Sequence, residues 1–305
     1  MEKVAVLMST YNGEKYIKEQ IESILAQKDA DVELYIRDDG SKDDTLSIVR
    51  EMASTDKRIH LIVGKHNLGV GNSFMNLVYG APDTFDYYAL SDQDDIWCEE
   101  KLAEAIKLLR ESKCSLYASN QENVDKFGNT MGLRYTDEEI HLSTESIIFT
   151  NMLAGCTMVF PLEFKKLISE EARRPSKELL RKRIHDVWLA GAASAVNGIV
   201  YDERSFIKYR QHENNVVGGQ KATLADDIKL KWKKIKDPSK RKGRSSFADE
   251  LVRSFGEYIP DDSYIRVLGK PKKNLLKLIS DSKRLCRYNN EKRILFIFKV
   301  LSGLF

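Results

Sequence analysis

The chain has few cysteines, no long apolar run and no large excess of either charge, and each absence excludes a class of protein. Its four cysteines show no metal-ligand spacing, which excludes zinc modules and disulfide frameworks, and we expect free thiols in a reducing compartment. These residues are Cys98, Cys114, Cys156 and Cys286. No apolar stretch reaches the ~18–20 residues that a membrane-spanning helix needs.

The total numbers of positive and negative side chains are nearly equal. Lysine and arginine number 49 against 46 aspartates and glutamates, which gives a formal net charge of +3. This small excess argues against a dedicated nucleic-acid-binding protein, and we expect no nucleic-acid partner. Met1-Glu2-Lys3 leads directly into a strand-like run without a signal peptide. We therefore expect a cytoplasmic protein, with the inner face of the cell membrane as an alternative, peripheral location.

The first hundred residues alternate between short β-forming runs and amphipathic helical patterns. The predicted strands are residues 4–8, 32–36, 59–63 and 87–90. This alternation predicts an α/β fold with a doubly wound, mostly parallel sheet, in which ligands bind beyond the carboxyl ends of the strands. The next hundred residues are mixed. They contain predicted strands at 116–119, 158–160, 198–201 and 206–209 and a helix over 184–196.

Asp92-Gln93-Asp94-Asp95 follows the fourth predicted strand and is the strongest chemical signal. Magnesium and manganese prefer oxygen ligands, and two aspartates separated by one residue can both face a metal from a single loop. Such a metal can stabilise a diphosphate as a leaving group. The alternative is a solvated acidic turn in which Asp94 or Asp95 caps the next helix.

Two weaker signals lie after the first and second strands. Asp38-Asp39-Gly40-Ser41 ends the second strand, where a carboxylate can accept a hydrogen bond from the N3–H of a pyrimidine. Tyr11 follows the first strand, where an exposed aromatic ring can stack on a base. The alternatives are an ordinary Asp-Gly turn and a partly buried tyrosine that covers the edge of the sheet.

As an ordered set, these motifs resemble family 2 glycosyltransferases of the GT-A fold over about residues 3–220. The set comprises Ser9–Gly13, Asp38–Ser41, Asn67–Val70, Ser91–Trp97, Ile184–Leu189 and Tyr209–Gly218. The segments Asp92–Trp97 and Tyr209–Gly218 are similar to the rhamnosyltransferase-like branch of the family.

The resemblance implies a GT-A (Rossmann-like) fold with a mixed, mostly parallel sheet and flanking helices. We expect residues 1–220 to form the catalytic domain. Within it, residues 1–110 are the nucleotide-sugar-binding half and residues 111–220 the acceptor-binding half. Residues 221–305 are rich in lysine and arginine, and we expect them to form a basic, helical C-terminal region.

The resemblance also assigns roles to single residues. The nucleotide sugar would contact Thr10, Tyr11, Asp39, Asp92 and His212. Asp92 and Asp94 would hold Mg²⁺ or Mn²⁺, with Asp94 as the direct ligand, and Asp186 would be the catalytic base. In one departure, the loop Gly69–Ser73 lacks the Arg or Lys that many relatives carry. Backbone N–H groups would then have to contact the phosphate there.

The implied activity is inverting transfer of a sugar from a nucleotide-diphosphate donor to a saccharide, in cell-surface polysaccharide synthesis. The branch favours L-rhamnose from dTDP-rhamnose, and a UDP-hexose is the alternative. Asp186 can take the proton of the acceptor hydroxyl, although an acid at a helix N-terminus is also favoured by the macrodipole. The alternative for His212 is a surface histidine on a loop.

Two other enzyme classes and one binding function are alternatives to the glycosyltransferase. No Gly-x-Gly-x-x-Gly follows the first strand, which excludes a Rossmann dehydrogenase. The segment Ser9–Gly13 has little glycine and no positive charge, which disfavours a nucleotidyltransferase. A non-catalytic sugar-nucleotide-binding scaffold would not need Asp186.

The basic C-terminal region suggests a membrane surface as a partner. Lysines there would attract anionic headgroups, and the resemblance implies acceptors that include saccharides linked to a polyprenyl lipid. The stretch 294–305 is too short to span a bilayer, but it can lie in the interface with its aromatic rings buried and Lys299 outward. The alternative is a helical subdomain that packs on the catalytic domain or on a second subunit.

Overall fold

The computed structural model describes residues 1–182, 184–212 and 243–305. The Glu213–Gly218 part of the last motif therefore lies outside the described residues, as do all the lysines from 221 to 242 and the proposed boundary at residue 220. All the other predicted site residues are described.

Nine strands of the described chain form one mixed sheet. They are β1 Glu2–Thr10, β2 Ala30–Asp38, β3 Ile59–Val63, β4 Tyr87–Ser91, β5 Ile96–Trp97, β6 Leu116–Val124, β7 Thr130–Leu133, β8 Val159–Pro161 and β9 Ile199–Arg210. Their order is β3-β2-β1-β4-β8-β6-β9-β5, with β7 added beside β6. The first four strands are parallel, β8 is antiparallel to both of its neighbours, and β6 and β9 are parallel. The expected mixed, mostly parallel sheet is confirmed.

Helices cover both faces of this sheet. The first eight are α1 Ile17–Leu25, α2 Thr45–Thr55, α3 Val70–Gly80, α4 Lys101–Ser112, α5 Thr144–Phe149, α6 Leu162–Ser169, α7 Lys177–Lys182 and α8 His185–Val196. The C-terminal ones are α9 Gly243–Phe255, α10 Tyr264–Gly269, α11 Leu275–Ser280, α12 Ser282–Leu285 and α13 Arg293–Leu301. The expected helical character of the C-terminal region is confirmed for residues 243–305.

The central strands are apolar on both sides because each side faces a separate core. In β1, Val4, Val6 and Met8 belong to the core beneath α1, α2 and α4. Ala5 and Leu7 belong to the larger core beneath α3, α6, α8 and the C-terminal helices. Successive strand residues point to opposite faces, so a continuous apolar run is what a doubly covered strand requires.

One predicted feature was wrong. Residues 198–201 and 206–209 were expected to be separate strands, but residues 199–201 and 206–209 belong to the continuous strand β9. Its pairing with β6 shifts register near Asn120, opposite residues 202–205. A bulge of this kind leaves residues unpaired without ending the strand. The polar segment between the two apolar runs therefore marks an irregularity in one strand and not a loop.

The C-terminal helices share the larger core with α3, α5, α6 and α8. Phe247 of α9 is fully buried, and its ring lies edge-on to Trp188 of α8, with centroids 6.0 Å apart. Gly191 allows this approach, because a Cβ atom there would come within 2.6 Å of Phe247. Phe149 of α5 likewise stacks on Phe296 of α13. The C-terminal helices thus pack as the helical subdomain that the sequence analysis gave as the alternative to membrane contact.

Helix α13 differs from the sequence expectation in which side chains it exposes. Phe296 is fully buried, whereas Phe298 is exposed, so the aromatic rings do not lie on one side. Lys299 is partly buried and forms an ion pair with Glu291 instead of pointing outward. Among the helices of the described residues, none combines the length and apolar character needed to cross a bilayer.

Replacing Phe247 by alanine tests whether the C-terminal helices stabilise the rest of the fold. The substitution would open a cavity between α8 and α9, and we expect it to lower the free energy of unfolding by about 3–5 kcal/mol. Denaturant unfolding measures this loss. The matched control is Phe127→Ala, whose ring is exposed and whose removal should leave the transition nearly unchanged. Equal effects of the two substitutions would contradict this interpretation.

Candidate functional site

The predicted site residues meet at the carboxyl edge of the parallel strands. β1 and β2 pair in register up to Thr10 and Asp38, and β4 ends at Ser91 beside Met8. The loops that begin with Tyr11, Asp39 and Asp92 therefore leave the sheet side by side. This is the edge at which open α/β sheets bind ligands.

Gln93 joins the loop after β1 to the acidic loop after β4. Its Oε1 accepts hydrogen bonds from Thr10 Oγ1 at 2.5 Å and from the Tyr11 backbone N–H at 2.9 Å. Its Nε2 donates to the Tyr11 carbonyl at 3.2 Å. Gly13 leaves room for this amide, because a Cβ atom there would lie 2.3 Å from Gln93 Oε1. The Tyr11 side chain itself is 44% exposed, which leaves part of its ring open to solvent.

The Asp39 carboxylate is buried and already has ion-pair and hydrogen-bond partners within the protein. Its carboxylate forms an ion pair with Arg37, which is also buried. It also accepts backbone N–H groups of Leu68, at 2.9 and 3.0 Å, and of Gly69, at 2.9 Å. Any contact between Asp39 and a base must therefore share or displace these donors.

The glycine-rich loop before α3, residues 64–69, contacts the same ion pair. Arg37 donates to Ser73 Oγ at 3.0 Å, and Ser9 Oγ donates to that same hydroxyl at 2.6 Å. In the segment Gly69–Ser73, whose backbone N–H groups were expected to replace a missing phosphate-binding side chain, the Gly69 N–H points at Asp39, as does that of the preceding Leu68. Arg37 is the basic side chain beneath this loop, and it comes from β2 and not from the loop itself.

Carboxylates crowd the loop after β4. Burial, reinforced by the nearby charges of Asp94 and Asp186, raises the pKa of Asp92 to about 7. Burial and the charges of Asp94 and Asp92 hold the pKa of Asp95 well above its usual range. Asp186 lies in the first turn of α8, where its Oδ1 accepts the Val187 backbone N–H at 2.6 Å. The fold thus brings the predicted base to the predicted metal motif.

The donor set fits a hard divalent cation. Asp92 and Asp94 supply carboxylate oxygens from one loop, and like charges held this close favour a cation between them. Asp92, Asp95 and Cys156 also have potential ligand atoms within 4.8 Å of one another. Burial raises the pKa of the Cys156 thiol well above its usual range, however, and a protonated thiol is a poor ligand. The carboxylates are therefore better suited than the thiol to hold a metal, and oxygen ligands of this kind suit Mg²⁺ or Mn²⁺.

Arg210, at the end of β9, is hydrogen-bonded to the acidic loop after β4. Its Nε donates to the Asp94 carbonyl at 3.1 Å, and its backbone N–H donates to Asp95 Oδ1 at 3.2 Å. The buried guanidinium also pairs with Glu19 of α1 at 2.6 Å and lies 4.5 Å above the Tyr16 ring. One side chain therefore fixes the loop relative to two elements that are distant in sequence.

His212 lies within the site and not on open surface. Its Nε2 is 2.7 Å from Asp94 Oδ2, and its ring stacks on Tyr16 with centroids 5.3 Å apart. His185, beside Asp186, is in contrast fully packed. Its ring stacks on Phe74 at 4.0 Å, and burial lowers its pKa to about 3, so it is neutral and supports the start of α8.

The sequence analysis missed three residues that organise the site. Gln93 lies inside the recognised motif, but its spacing alone does not show that it faces the loop after β1. Arg37 stands at the end of β2 directly before Asp38–Ser41, and a basic residue beside two aspartates was the available signal there. Arg210 lies inside the recognised motif Tyr209–Gly218, but its spacing does not show that it contacts the acidic loop. The remaining predicted residues, Thr10, Tyr11, Asp92, Asp94, Asp186 and His212, gather at this edge as expected.

The chain is similar to known proteins over most of its length. The model of the family described as Glycosyl transferase family 2 matches residues 5–162. A dTDP-rhamnosyl transferase, RfbG of Shigella flexneri, is 32% identical over 272 residues, which cover 86% of this chain and 88% of that protein. A putative teichuronic acid biosynthesis glycosyltransferase of Bacillus subtilis, TuaG, is 31% identical over 134 residues, which cover 41% of this chain and 51% of that protein.

Solved structures with low sequence identity share the fold. TarS of S. aureus, residues 1–349 in complex with UDP-GlcNAc, superimposes with a TM-score of 0.58 at 18% identity, covering 99% of this chain and 88% of that one. The mannosyltransferase PcManGT from Pyrobaculum calidifontis, in complex with GDP-Man and Mn²⁺, gives 0.53 at 17% identity, covering 99% and 74%. Both show the same architecture, which identifies the GT-A fold.

Arg210→Gln tests whether this side chain positions the metal-binding loop. Glutamine cannot pair with Glu19, and it loses the fork of donors that reaches the Asp94 carbonyl. We expect Mn²⁺ binding to weaken about tenfold, measured by calorimetric titration. Arg204→Gln is the matched control, since Arg204 lies on the same strand but is more exposed and pairs with Asp202 and Glu104. Unchanged Mn²⁺ affinity in the Arg210 variant would contradict this role.

Asp39→Asn tests the buried ion pair beneath the glycine-rich loop. The Arg37 guanidinium would lose its counter-charge in a buried setting, and we expect the free energy of unfolding to fall by about 3 kcal/mol. Asp31→Asn is the control, because Asp31 lies exposed at the opposite end of β2. If both variants unfold at the wild-type denaturant concentration, the ion pair does not stabilise the fold.

Proposed function

The chain belongs to glycosyl transferase family 2, and on that basis we propose that it transfers a sugar from a nucleotide-diphosphate donor to a saccharide acceptor with inversion at the anomeric carbon. The observation that carries the proposal is the meeting of Asp186 with Asp92, Asp94 and His212 at one edge of the sheet. A base, a metal motif and a cationic or polar partner at one place are what a displacement reaction on a diphosphate needs.

In this proposal Asp186 is the catalytic base. Its carboxylate takes the proton of the acceptor hydroxyl while the acceptor oxygen bonds to the anomeric carbon. The bond from that carbon to the diphosphate oxygen breaks on the opposite side, and the nucleoside diphosphate leaves with the bonding electrons. The start of α8 fixes the carboxylate, because the Asp186 oxygen is bonded to the Val187 backbone N–H.

Asp92 and Asp94 would hold a divalent cation, Mg²⁺ or Mn²⁺. When bound, such an ion neutralises the charge that develops on the departing diphosphate. His212 is already bonded to Asp94, so in our proposal it orients that carboxylate and contacts the diphosphate. Arg210 and Gln93 keep the loop in place between β9 and the loop after β1.

For the donor we propose dTDP-L-rhamnose. The support is the rhamnosyl transferase of Shigella flexneri, which is similar over most of both chains. The exposed Tyr11 ring is placed to stack on a base, and Thr10 and Asp39 lie beside it. Because Asp39 is bonded to Arg37, its contact with the pyrimidine would be shared with that guanidinium. UDP-hexoses are the competing donors, as the UDP-GlcNAc complex of the structurally similar TarS illustrates.

For the acceptor we propose a growing cell-surface saccharide, in free or polyprenyl-linked form. The support is again the named relatives, one a rhamnosyl transferase and one assigned to teichuronic acid biosynthesis. The half of the domain formed by β6, β8 and β9 would bind it, since Asp186 lies in the first turn of α8, the helix directly before β9.

A donor panel tests the proposal. Purified protein is mixed with Mn²⁺ and each sugar nucleotide, with saccharide acceptors, and release of the nucleoside diphosphate is recorded. We expect release from dTDP-rhamnose that chelator abolishes. Asp186→Asn should lower the rate by about 10²-fold or more while Mn²⁺ still binds, whereas Asp94→Asn should lose Mn²⁺ binding as well.

The control for these variants is Asp249→Asn, which changes an exposed aspartate on α9 and should leave the rate unchanged. Release from a UDP-hexose alone would replace rhamnose as the donor and keep the transferase proposal. Failure of every sugar nucleotide to bind, with or without Mn²⁺, would refute the proposal.

A further inference from the structure

Helix α13 presents an apolar stripe to solvent. Ile294, Phe298 and Leu301 are 81%, 54% and 60% exposed, whereas Phe296 and Val300 on the opposite side are buried in the core. Residues spaced by four and three lie on one side of a helix, so the exposed residues form a continuous strip. Leu276 of helix α11, which contacts α13, is 83% exposed as well.

Apolar residues occupy this outward side where charged ones would be expected. Lys299, the one lysine of the helix, is turned aside into its ion pair with Glu291. Glu291 also accepts Arg244 Nη1 at 2.8 Å, so its charge is balanced within the fold. The helix is anchored at its back by Phe296, which stacks on Phe149 and meets Phe305 edge-on. The apolar strip is therefore presented by a fixed helix.

The C-terminal segment that carries the stripe is rich in positive charge. Residues 270–305 contain ten lysines and arginines but only two acidic residues. Nine of them are exposed, namely Lys270, Lys272, Lys273, Lys277, Lys283, Arg284, Arg287, Lys292 and Arg293. Arg284 forms an ion pair with Glu145 of α5. Asp281 and Glu291, the two acidic residues, are both partly buried. A surface of this composition attracts anions and repels another copy of itself.

We propose that this face, formed by α11 and α13, binds the surface of an anionic lipid bilayer. Apolar side chains would enter the boundary between headgroups and acyl chains, and the surrounding lysines and arginines would contact the headgroups. A second copy of the chain fits less well, because pairing two such faces would bring their positive charges together. This contact goes beyond the transfer reaction, and it would keep the enzyme beside lipid-linked saccharides.

Vesicle sedimentation with the full chain tests the proposal. One set of vesicles contains phosphatidylglycerol beside phosphatidylcholine, and the other contains phosphatidylcholine alone. We expect the protein to sediment with the anionic vesicles only, and less so at high salt, where headgroup attraction is screened. The variant with Ile294→Ser, Phe298→Ser and Leu301→Ser should bind them at least about tenfold more weakly.

A matched triple variant controls for the loss of apolar surface as such. Phe127→Ser, Met131→Ser and Leu133→Ser removes three exposed apolar side chains from the β6–β7 hairpin and should bind vesicles like the wild type. An unchanged unfolding midpoint shows that each variant is folded. Three results would overturn the proposal: equal vesicle binding by the α13 variant and the wild type, equal binding to both vesicle types, and a dimer that only the α13 substitutions dissociate.

Discussion

Mutual repulsion among carboxylates is the constraint on which the site depends. Asp92, Asp94, Asp95 and Asp186 come together at one edge of the sheet, where burial and like charge raise the pKa values of Asp92 and Asp95. Such a cluster stays together only if donors and cations compensate it. The fold supplies part of this compensation through protein contacts, and the proposed metal ion would supply the rest.

The compensating contacts come from distant parts of the chain. Arg210 arrives on the last strand of the sheet and ties the acidic loop to α1 through Glu19. His212 follows it and bonds to Asp94. On the other side, Gln93 fixes the loop to the segment after β1. The geometry of the metal motif therefore depends on β9 being placed correctly, which explains why a residue remote in sequence is expected to affect metal binding.

The C-terminal helices both pack on the core and present an apolar strip to solvent. Their inner side, with Phe247, Phe255 and Phe296, completes the core next to α8, the helix that carries Asp186. Their outer side at α13 leaves an apolar strip exposed among basic residues. One region thus stabilises the position of the proposed base and, in our proposal, sets the distance between the site and a lipid surface.

The sequence by itself determined the strands and the chemical motifs. Apolar runs such as Val4–Met8 predicted buried strands, and the aspartates after β4 predicted a metal site, because these signals are local in the chain. The partners of those motifs were decided only by the tertiary structure. Spacing along the chain does not record that Arg37 neutralises Asp39, or that the two predicted strands of residues 198–209 form one bulged strand ending in Arg210. Those contacts join segments that meet only when the sheet and its crossovers are assembled.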